Sequence, residues 1–506
     1  MCGTSGLSRT KNREGKAMLN NKRLLKCAEM VSGRGTVCDV GTDHAFLPVY
    51  LVEQGLCQNA VAGDIADGPL EAATNTVRNS GLSDRISVVK SDGLKNISPD
   101  GITDVIIAGM GAETISMIIE AAPWLRNGIN LILQPMTKIP FMRTWLYANG
   151  YEILKEEAVT DDDYIYTVMN VSYSGYRINI SSTFADLGMF DFTDENSVKF
   201  AQKQLERLNR VLEGKKRSGK AEDTADTERE CRTISRVING KYRVTAGRIY
   251  DEINRIAPFR TQDSWDNSGL LVGDRDTEVT GIITALDITH EVIGEAIAKK
   301  ANLIVSHHPV IFSPLKNLSM RNPAVRLAAN GISAICVHTP LDKAVNGIND
   351  MICDMLCREF ETSDFRRPII AEGDGSPDGD GRIIEITGEN LSAPAMAERL
   401  GKMFGNCPVK FSPGYRKITR VAVCSGSGGS LLSFVRKNRC DAYITGDIKH
   451  DVWLDAAADG ISLFDCGHFY TERISAEYLA KLLRTVSYGI KTEAAETCSD
   501  VVKYIY

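Results

Sequence analysis

The residues of this chain best suited to chemistry stand where apolar runs stop. The run 302–306 closes in His307-His308-Pro309, 332–337 closes in His338-Thr339-Pro340-Leu341-Asp342, and 461–465 closes in Cys466-Gly467-His468-Phe469-Tyr470-Thr471-Glu472. Consecutive residues at a strand end point in divergent directions, so His307 and His308 can serve two different ions. His338/Asp342 and His468/Glu472 are i, i+4 pairs, which share a face wherever the segment turns helical. Neutral imidazole with carboxylate suits zinc, iron or manganese better than calcium or magnesium. Two carboxylates against two divalent ions leave positive charge over, which hydrolytic two-metal sites use to activate water. One such pair arises easily by chance; three clusters at three strand ends point to a metal centre.

The first half carries a single histidine, His44, and a different set of groups. The run 36–40 reads as a short strand that includes Asp39 and turns into Gly41-Thr42-Asp43-His44. The run 60–64 ends in Asp64, 86–89 is followed by Ser91-Asp92-Gly93, and 104–108 by Gly109-Met110-Gly111. Glycine at position 41 lets the backbone approach a ligand closely. Asp64 can accept both hydroxyls of a ribose, and Asp92 can accept from the exocyclic amine of adenine. The first turn lacks the full G-x-G-x-x-G that would set a pyrophosphate over a helix N-terminus. The ordered series Asp39, Gly41, Asp64, Asp92, Gly93, Gly109 therefore suits an adenosine ligand without phosphate, S-adenosylmethionine rather than NAD.

Such groups need elements to position them. Strand-like runs alternate with helical ones in both halves: helices over 23–31, 48–54, 68–79 and 113–121 in the first, and over 245–257 and 431–437 in the second. The alternation predicts an α/β fold, with a doubly wound parallel sheet first and a second α/β domain after it, ligands lying beyond the carboxyl ends of the strands. A length of 506 residues exceeds what one core sustains. We expect an extension at 1–17, a donor-binding domain at 18–180, a basic arm and linker at 181–242, and a metal-binding domain at 243–506. Between residues 196 and 243 there are 13 Lys and Arg against 7 Asp and Glu, inside a protein of net charge −6, so any attraction to nucleic acid is local. Val198, Ala201, Leu205, Leu208 and Leu212 follow a 3–4 spacing. After the polar break 215–220, Thr224, Thr227, Cys231, Ile234 and Ile238 repeat it. This reads as a helical hairpin, with a solvated linker as the alternative. As a basic arm it would hold nucleic-acid phosphates, which need Lys and Arg in no particular order. The 13 cysteines contain no C-x-x-C pair and are expected as free thiols in a reducing cytoplasm, Cys353 and Cys357 packing one helical turn apart. The N-terminus has no apolar stretch of a secretory signal. No run of 18 apolar residues exists, so neither a membrane span nor a membrane partner is expected.

The segments CDVGTDHAFLP, AVAGDIADGPLEAA, SVVKSDGL, IIAGMGAETI and LILQPM resemble the bacterial tRNA (adenine-N1)-methyltransferases that modify adenine at tRNA position 22. The likeness runs from about residue 20 through the hairpin, and AGMG followed by LQP is its most specific part. That family usually has Ser where Thr42 stands and often Glu where Asp64 stands; both changes keep a hydrogen-bonding role. The resemblance implies a class I methyltransferase domain, S-adenosylmethionine as donor, and a coiled-coil arm for tRNA. In such a reaction adenine N1 attacks the sulfonium methyl in line, and orientation supplies up to roughly 7–11 kcal/mol. The product ring is cationic, so Asp43 beside the donor turn is the candidate to stabilise it or take a proton, with Gln134 placing the base. A helix N-cap is the alternative role for Asp43, and His44 is expected to pack as a structural residue.

The segments WDNSGLLVG, LDIT, VSHHP, VHTPLD, VAVCSGSGGS, ITGDIKH and DCGHFYTE, between residue 243 and about 493, resemble the Nif-three-like proteins, a dinuclear-metal toroidal hexamer family with many members named GTP cyclohydrolase I type 2 homologues. By motif match, His307, His308, Asp342, His468 and Glu472 are implied as ligands of two divalent ions per chain. His338 would add to or support them, and His450 would line the site. The resemblance further implies a homohexamer and a small nucleotide-like substrate. The segment 366–418 is too short for the domain inserted in some relatives, and its GDGSPDGDG is expected to be a flexible loop. Residues 425–430 (SGSGGS) read either as an anion cradle or as a tight strand-to-helix turn. Two accounts of the whole remain. One is a fusion of a tRNA methyltransferase with a metal-dependent hydrolase; the other is a methyltransferase joined to a non-catalytic metal-holding or regulatory module. A third, in which the first half only senses the donor, leaves the basic arm without a purpose.

Overall fold

The computed structural model describes residues 10–11, 17–218, 224–388 and 390–503, in two compact units divided between Tyr242 and Arg243. Most of the expected N-terminal extension, and Gly219 and Lys220 of the polar break, lie outside the described residues. Thr10–Lys11 pairs antiparallel with Ala17–Met18. Among the described residues no helix is long and apolar enough to cross a membrane.

The first unit is built on seven strands: β1 (Thr36–Val40), β2 (Asn59–Asp64), β3 (Ile86–Lys90), β4 (Ile102–Gly111), β5 (Asn130–Thr137), β6 (Tyr151–Asp161) and β7 (Tyr164–Tyr173). Their order is β3-β2-β1-β4-β5-β7-β6, parallel from β3 to β5 and antiparallel beyond. Helices cover the sheet, so the central strands read as unbroken apolar runs, and Val37, Ile106 and Ile132 are buried. The apolar character ends at the carboxyl edge, where Gly41, Gly93 and Gly109 take φ of 77°, 59° and 82° to turn the chain away. The β6–β7 hairpin is absent from the sequence reading. The run Lys155-Glu156-Glu157 interrupts its apolar alternation, and its turn passes through Asp162 at φ 52°.

Glu156 is one of those interrupting charges and is buried against Arg143, Nη2 to Oε1 at 2.7 Å. Arg143 also donates to the carbonyls of Ala185 at 2.6 Å and Asp186 at 3.0 Å, while Thr167 Oγ1 and Met189 N donate to Glu156. The network ties α5 (Ile139–Ala148) and β6 to α6 (Ser182–Leu187). Beyond it come α7 (Glu195–Arg217), capped by Asp194, and α8 (Thr224–Ile238), the two helices of the expected hairpin. Phe200 and Ala201 of α7 and Cys231, Ile234 and Val237 of α8 are buried. Lys216 pairs with Glu228 at 2.7 Å and Lys215 donates to Thr227 at 3.1 Å, so two cations of the polar break fasten the helices to each other.

The second unit has two main sheets and a small two-stranded one. Strands β8 (Gly269–Val272), β9 (Ile282–Ala285), β10 (Leu303–Ser306), β11 (Ser333–Cys336) and, from the end of the chain, β18 (Thr492–Ala494) run in the order β8-β11-β10-β9-β18. Strands β12 (Thr362–Arg367), β13 (Arg382–Ile386), β14 (Lys410–Ser412), β15 (Arg420–Val423), β16 (Ala442–Thr445) and β17 (Ser462–Asp465) run in the order β12-β13-β15-β16-β17-β14. The parallel cores β9–β11 and β15–β17 are short, and β9–β11, β16 and β17 are buried throughout. The segment expected to be a flexible loop is instead a small β-hairpin, Ile370–Ala371 with Gly379–Asp380. It is pinned where Val345 N donates to Asp378 Oδ1 at 2.9 Å.

Breaking the Arg143–Glu156 pair leaves a bare charge in the core. Glu156→Leu should cost about 3–5 kcal/mol in equilibrium denaturation, and adding Arg143→Met should recover a large part of it. A single variant as stable as the parent would show that water reaches the pair.

Candidate functional site

The carboxyl edge of the first sheet opens into a cavity of about 440 Å³ lined by Gly41, Asp64, Ser91, Asp92, Gly93 and Met110 among others. Gly41 N and Thr42 N both donate to Gly63 O, at 2.8 and 3.1 Å, which holds the first turn against β2. A Cβ at Gly41 would stand 2.4 Å from Met110 Cε. Asp64 accepts from Ala66 N at 2.9 Å, and Asp92 pairs with Lys95 at 2.5 Å on the exposed rim. Asp39 lies deeper and does not line the cavity. Burial pushes its carboxyl up to about 6; Thr42, which donates to it at 2.7 Å, opposes the shift and the charge of Asp64 adds to it.

Gln134 has a different role from the one expected of it. Gln134 is fully buried. Its Oε1 accepts from Gly109 N at 3.0 Å and from Arg23 Nη1, and its Nε2 donates to Pro135 O at 3.1 Å and approaches Met136 Sδ at 3.6 Å. The amide is spent on bracing the ends of β4 and β5, so it is not free to place a base. Asp43 is exposed, with φ 51°. The following helix, α2 (Phe46–Glu53), starts from Ala45 without a side-chain cap, which removes the N-cap alternative for Asp43. His44 is half-exposed and stacks on Phe46 at 5.3 Å instead of packing in the core.

In the second unit the strand-end clusters converge. His307 and His308 follow β10, His338 follows β11, and His468 and Glu472 follow β17 after Gly467 turns at φ 77°. Donor atoms of His307, His308 and His338, of His308, His468 and Glu472, and of His307, Asp342 and Glu472 lie within 4.8 Å of one another in each set. Every one of these imidazoles has its Nδ1 engaged by an acceptor: His307 by Val337 O at 3.0 Å, His308 by Asp287 at 2.8 Å, His338 by Asp266 at 2.9 Å, and His468 by Asp447 at 2.8 Å. Such partners fix the tautomer and leave Nε2 for a metal. Sequence reasoning missed the three acids, although each lies inside a motif quoted above.

Glu472 is buried, with Oε2 at 2.8 Å from Nε2 of both His308 and His468, and the two Nε2 atoms are 3.3 Å apart. His307 Nε2 is buried without a hydrogen bond, 3.6 Å from Asp342 and 3.7 Å from Glu472. Burial pulls His308 down, but Asp287 and Glu472 outweigh it and raise the imidazole to about 10. The same balance, with Glu472 and Asp447, raises His468 to about 9. Burial pushes Asp342 up, while Glu472 is held well below the usual carboxylate range because the three imidazoles outweigh its burial. Divalent cations in place of those protons would satisfy the whole set, so the donors present fit a metal centre.

A cavity of about 640 Å³ leads to this cluster and is bordered by Trp265, Phe312, Asp380 and Ser427. Residues 425–430 form a tight turn in which three backbone N–H groups are already taken. Ser425 N, Gly426 N and Gly428 N donate to Asn349, Thr471 and Thr445 at 2.8, 3.0 and 2.9 Å. Gly426 is required there, because its Cβ would stand 2.1 Å from Glu472 Oε1. His450 is exposed and does not border the cavity, so that expectation fails.

Residues 244–500 match the family model Duf34/NIF3 (NGG1p interacting factor 3), and residues 20–169 match a methyltransferase domain. The chain is 31% identical over 261 residues to the GTP cyclohydrolase 1 type 2 homolog of Clostridium acetobutylicum, covering 50% of this chain and 95% of that one. The Campylobacter jejuni protein of the same name is 33% identical over 243 residues, covering 47% and 91%. Among solved structures, the B. subtilis M1A22 tRNA methyltransferase is 30% identical, covering 43% of this chain and 95% of that one at a TM-score of 0.36. With a methyltransferase domain ahead of it, the second half places the chain in the Duf34/NIF3 family.

Proposed function

We propose that the first half methylates N1 of an adenine in tRNA with S-adenosylmethionine as donor, and that the second half holds two divalent ions for a hydrolytic reaction on a nucleotide-like substrate. The observation that carries the first part is the row Asp92, Asp64, Gly41 along adjoining strand ends, opening on one cavity. Bound S-adenosylmethionine supplies an electrophilic methyl group. Asp64 would accept from the ribose hydroxyls, Asp92 would take the adenine amine once Lys95 yields, and Gly41 admits the ligand to the backbone. Asp43, held in a left-handed turn beside the donor and open to solvent, would offset the positive charge left on the methylated ring. On the arm, Lys203, Arg210 and Arg236 are exposed and form no ion pair among the described residues, so they remain for tRNA phosphates.

For the second half, His307, His308, Asp342, His468 and Glu472 would hold the ions, with His338 beside them. Bound divalent ions supply Lewis acidity for activating water. Assembly into a homohexamer belongs to this proposal. The buried Nε2 of His307, which lacks any hydrogen bond, supports the metal reading, since a polar atom left bare in the interior is costly.

Methyl transfer from labelled donor to unmodified tRNA, with the modified position mapped, tests the first part. Asp64→Ala should weaken donor binding at least tenfold, as losing charge-assisted bonds worth about 1.5–3 kcal/mol requires; unchanged affinity by calorimetry would refute the placement. Converting Lys203, Arg210 and Arg236 to Gln should leave donor affinity intact and lower the slope of log K against log salt by about one for each phosphate no longer neutralised. An unaltered slope would mean that this face does not touch tRNA.

The metal centre is open to elemental analysis, which should find two ions per chain in the parent. His307→Ala with His468→Ala should lose them while methyl transfer persists. Both His308 and His468 are raised, so protons occupy the ion-free site at neutral pH and must leave when metal enters. Zinc affinity should therefore rise with pH, by about tenfold or more from pH 6 to pH 8, with proton release in calorimetry. A pH-independent affinity would place the ions elsewhere.

A further inference from the structure

The cysteines include no C-x-x-C pair in sequence, yet the second unit brings two of them together. Cys466 directly follows β17, and Cys407 precedes β14, its antiparallel neighbour, in which Lys410 pairs with Asp465. Cys466 Sγ donates to Cys407 Sγ. The backbone holds both in place: Cys407 N donates to Gly401 O at 3.1 Å, and Cys466 N to Thr445 O at 2.8 Å. Cys466 is fully buried. Cys407 keeps 6% of its surface and lines a surface groove of about 390 Å³, beside the exposed Lys402, Asn406 and Phe411. A small solute can therefore reach the first thiol and not the second.

The hydrogen bond from Cys466 outweighs burial and, with the charge of Arg473, draws the Cys407 thiol below its ordinary value. Arg473 is itself fixed by donating to Phe404 O at 2.9 Å. Burial instead pushes Cys27, Cys38 and Cys353 up. The thiolate is the reactive form. We propose that Cys407 and Cys466 form a peroxide-sensitive dithiol pair, Cys407 attacking the oxidant and Cys466 resolving the product. The Cys407 thiolate attacks one oxygen of hydrogen peroxide and the O–O bond breaks. Sulfur is oxidised to a sulfenic acid, and the other oxygen leaves as hydroxide, which takes up the proton Cys407 has lost. Cys466 then attacks that sulfur; the S–S bond forms, the S–O bond breaks, and the hydroxyl leaves as water with the Cys466 proton. Two thiols and one peroxide thus give one disulfide and two waters. Cys466 immediately precedes Gly467 and His468, so the bond would tether the turn that carries this imidazole to the groove.

The test treats the reduced full chain with hydrogen peroxide, blocks the remaining thiols with N-ethylmaleimide and maps its peptides by mass spectrometry. Two thiols per chain should be lost, joined as Cys407–Cys466, and dithiothreitol should restore both. Cys407→Ser should leave Cys466 reduced under the same treatment. Cys466→Ser should leave Cys407 as a sulfenic acid that dimedone traps. Alkylation of the native chain before any oxidant needs no variant, and Cys407 should react faster than every other buried cysteine. Disulfides joining other cysteines, no loss of thiol, or a Cys466 that oxidises equally well in Cys407→Ser would overturn the assignment. If either variant fails to fold, the peptide map of the parent decides alone.

Discussion

The second half depends on one buried carboxylate, Glu472, meeting three imidazoles. A carboxylate taken out of water must be compensated or neutralised. No Lys or Arg pairs with it among the described residues, so compensation has to come from protonated histidine or from metal. That requirement explains the close turns around it: Gly426 is where a side chain would strike the carboxylate, and Gly467 lets the chain swing His468 and Glu472 back over the sheet. The clusters follow β10 and β11 in one sheet and β17 in the other, and meet at the carboxyl ends of those strands.

The first half meets the same constraint differently. Arg143 and Glu156 are both fully buried, and backbone carbonyls, Met189 N and Thr167 add further hydrogen bonds to the pair. Here a buried pair ties the sheet to α6 and so to the arm behind it. Arg23, by contrast, sits at the cavity end of the sheet, bonded to Gln134 and in no ion pair among the described residues.

What could be read in the sequence was contiguous. The clustered imidazoles and carboxylates stand within a few residues of a strand end, and Asp64 and Asp92 lie at or just past the ends of adjoining strands, so local pattern suffices. Asp266, Asp287 and Asp447 could not be assigned that way, because each reaches its imidazole only through the order of strands in the two sheets. Gln134 misled for a related reason: a polar residue at a strand end reads as functional, whereas its partners Gly109 and Arg23 come from distant segments. Arg23 is one cation among several on an amphipathic helix, and nothing in its neighbours marks it. His450 belongs to a helix start near the cluster in sequence and faces solvent in space.

The acids behind the imidazoles also alter the charge balance inferred from the ligands alone. Asp342 and Glu472 against two divalent ions would leave a positive excess, but Asp266, Asp287 and Asp447 add three negative charges one imidazole away. Those acids would make the Nε2 atoms of His308, His338 and His468 better donors and hold them in place, as a metal centre requires. They would also reduce the excess available to ionise a water, and Lys343 near the cavity wall is matched by Asp263, Glu372 and Asp380. On the proposed reading, such a site would favour tight holding and orientation of a ligand over maximal acidity, and a hydrolytic reaction there would draw its rate chiefly from positioning of the substrate.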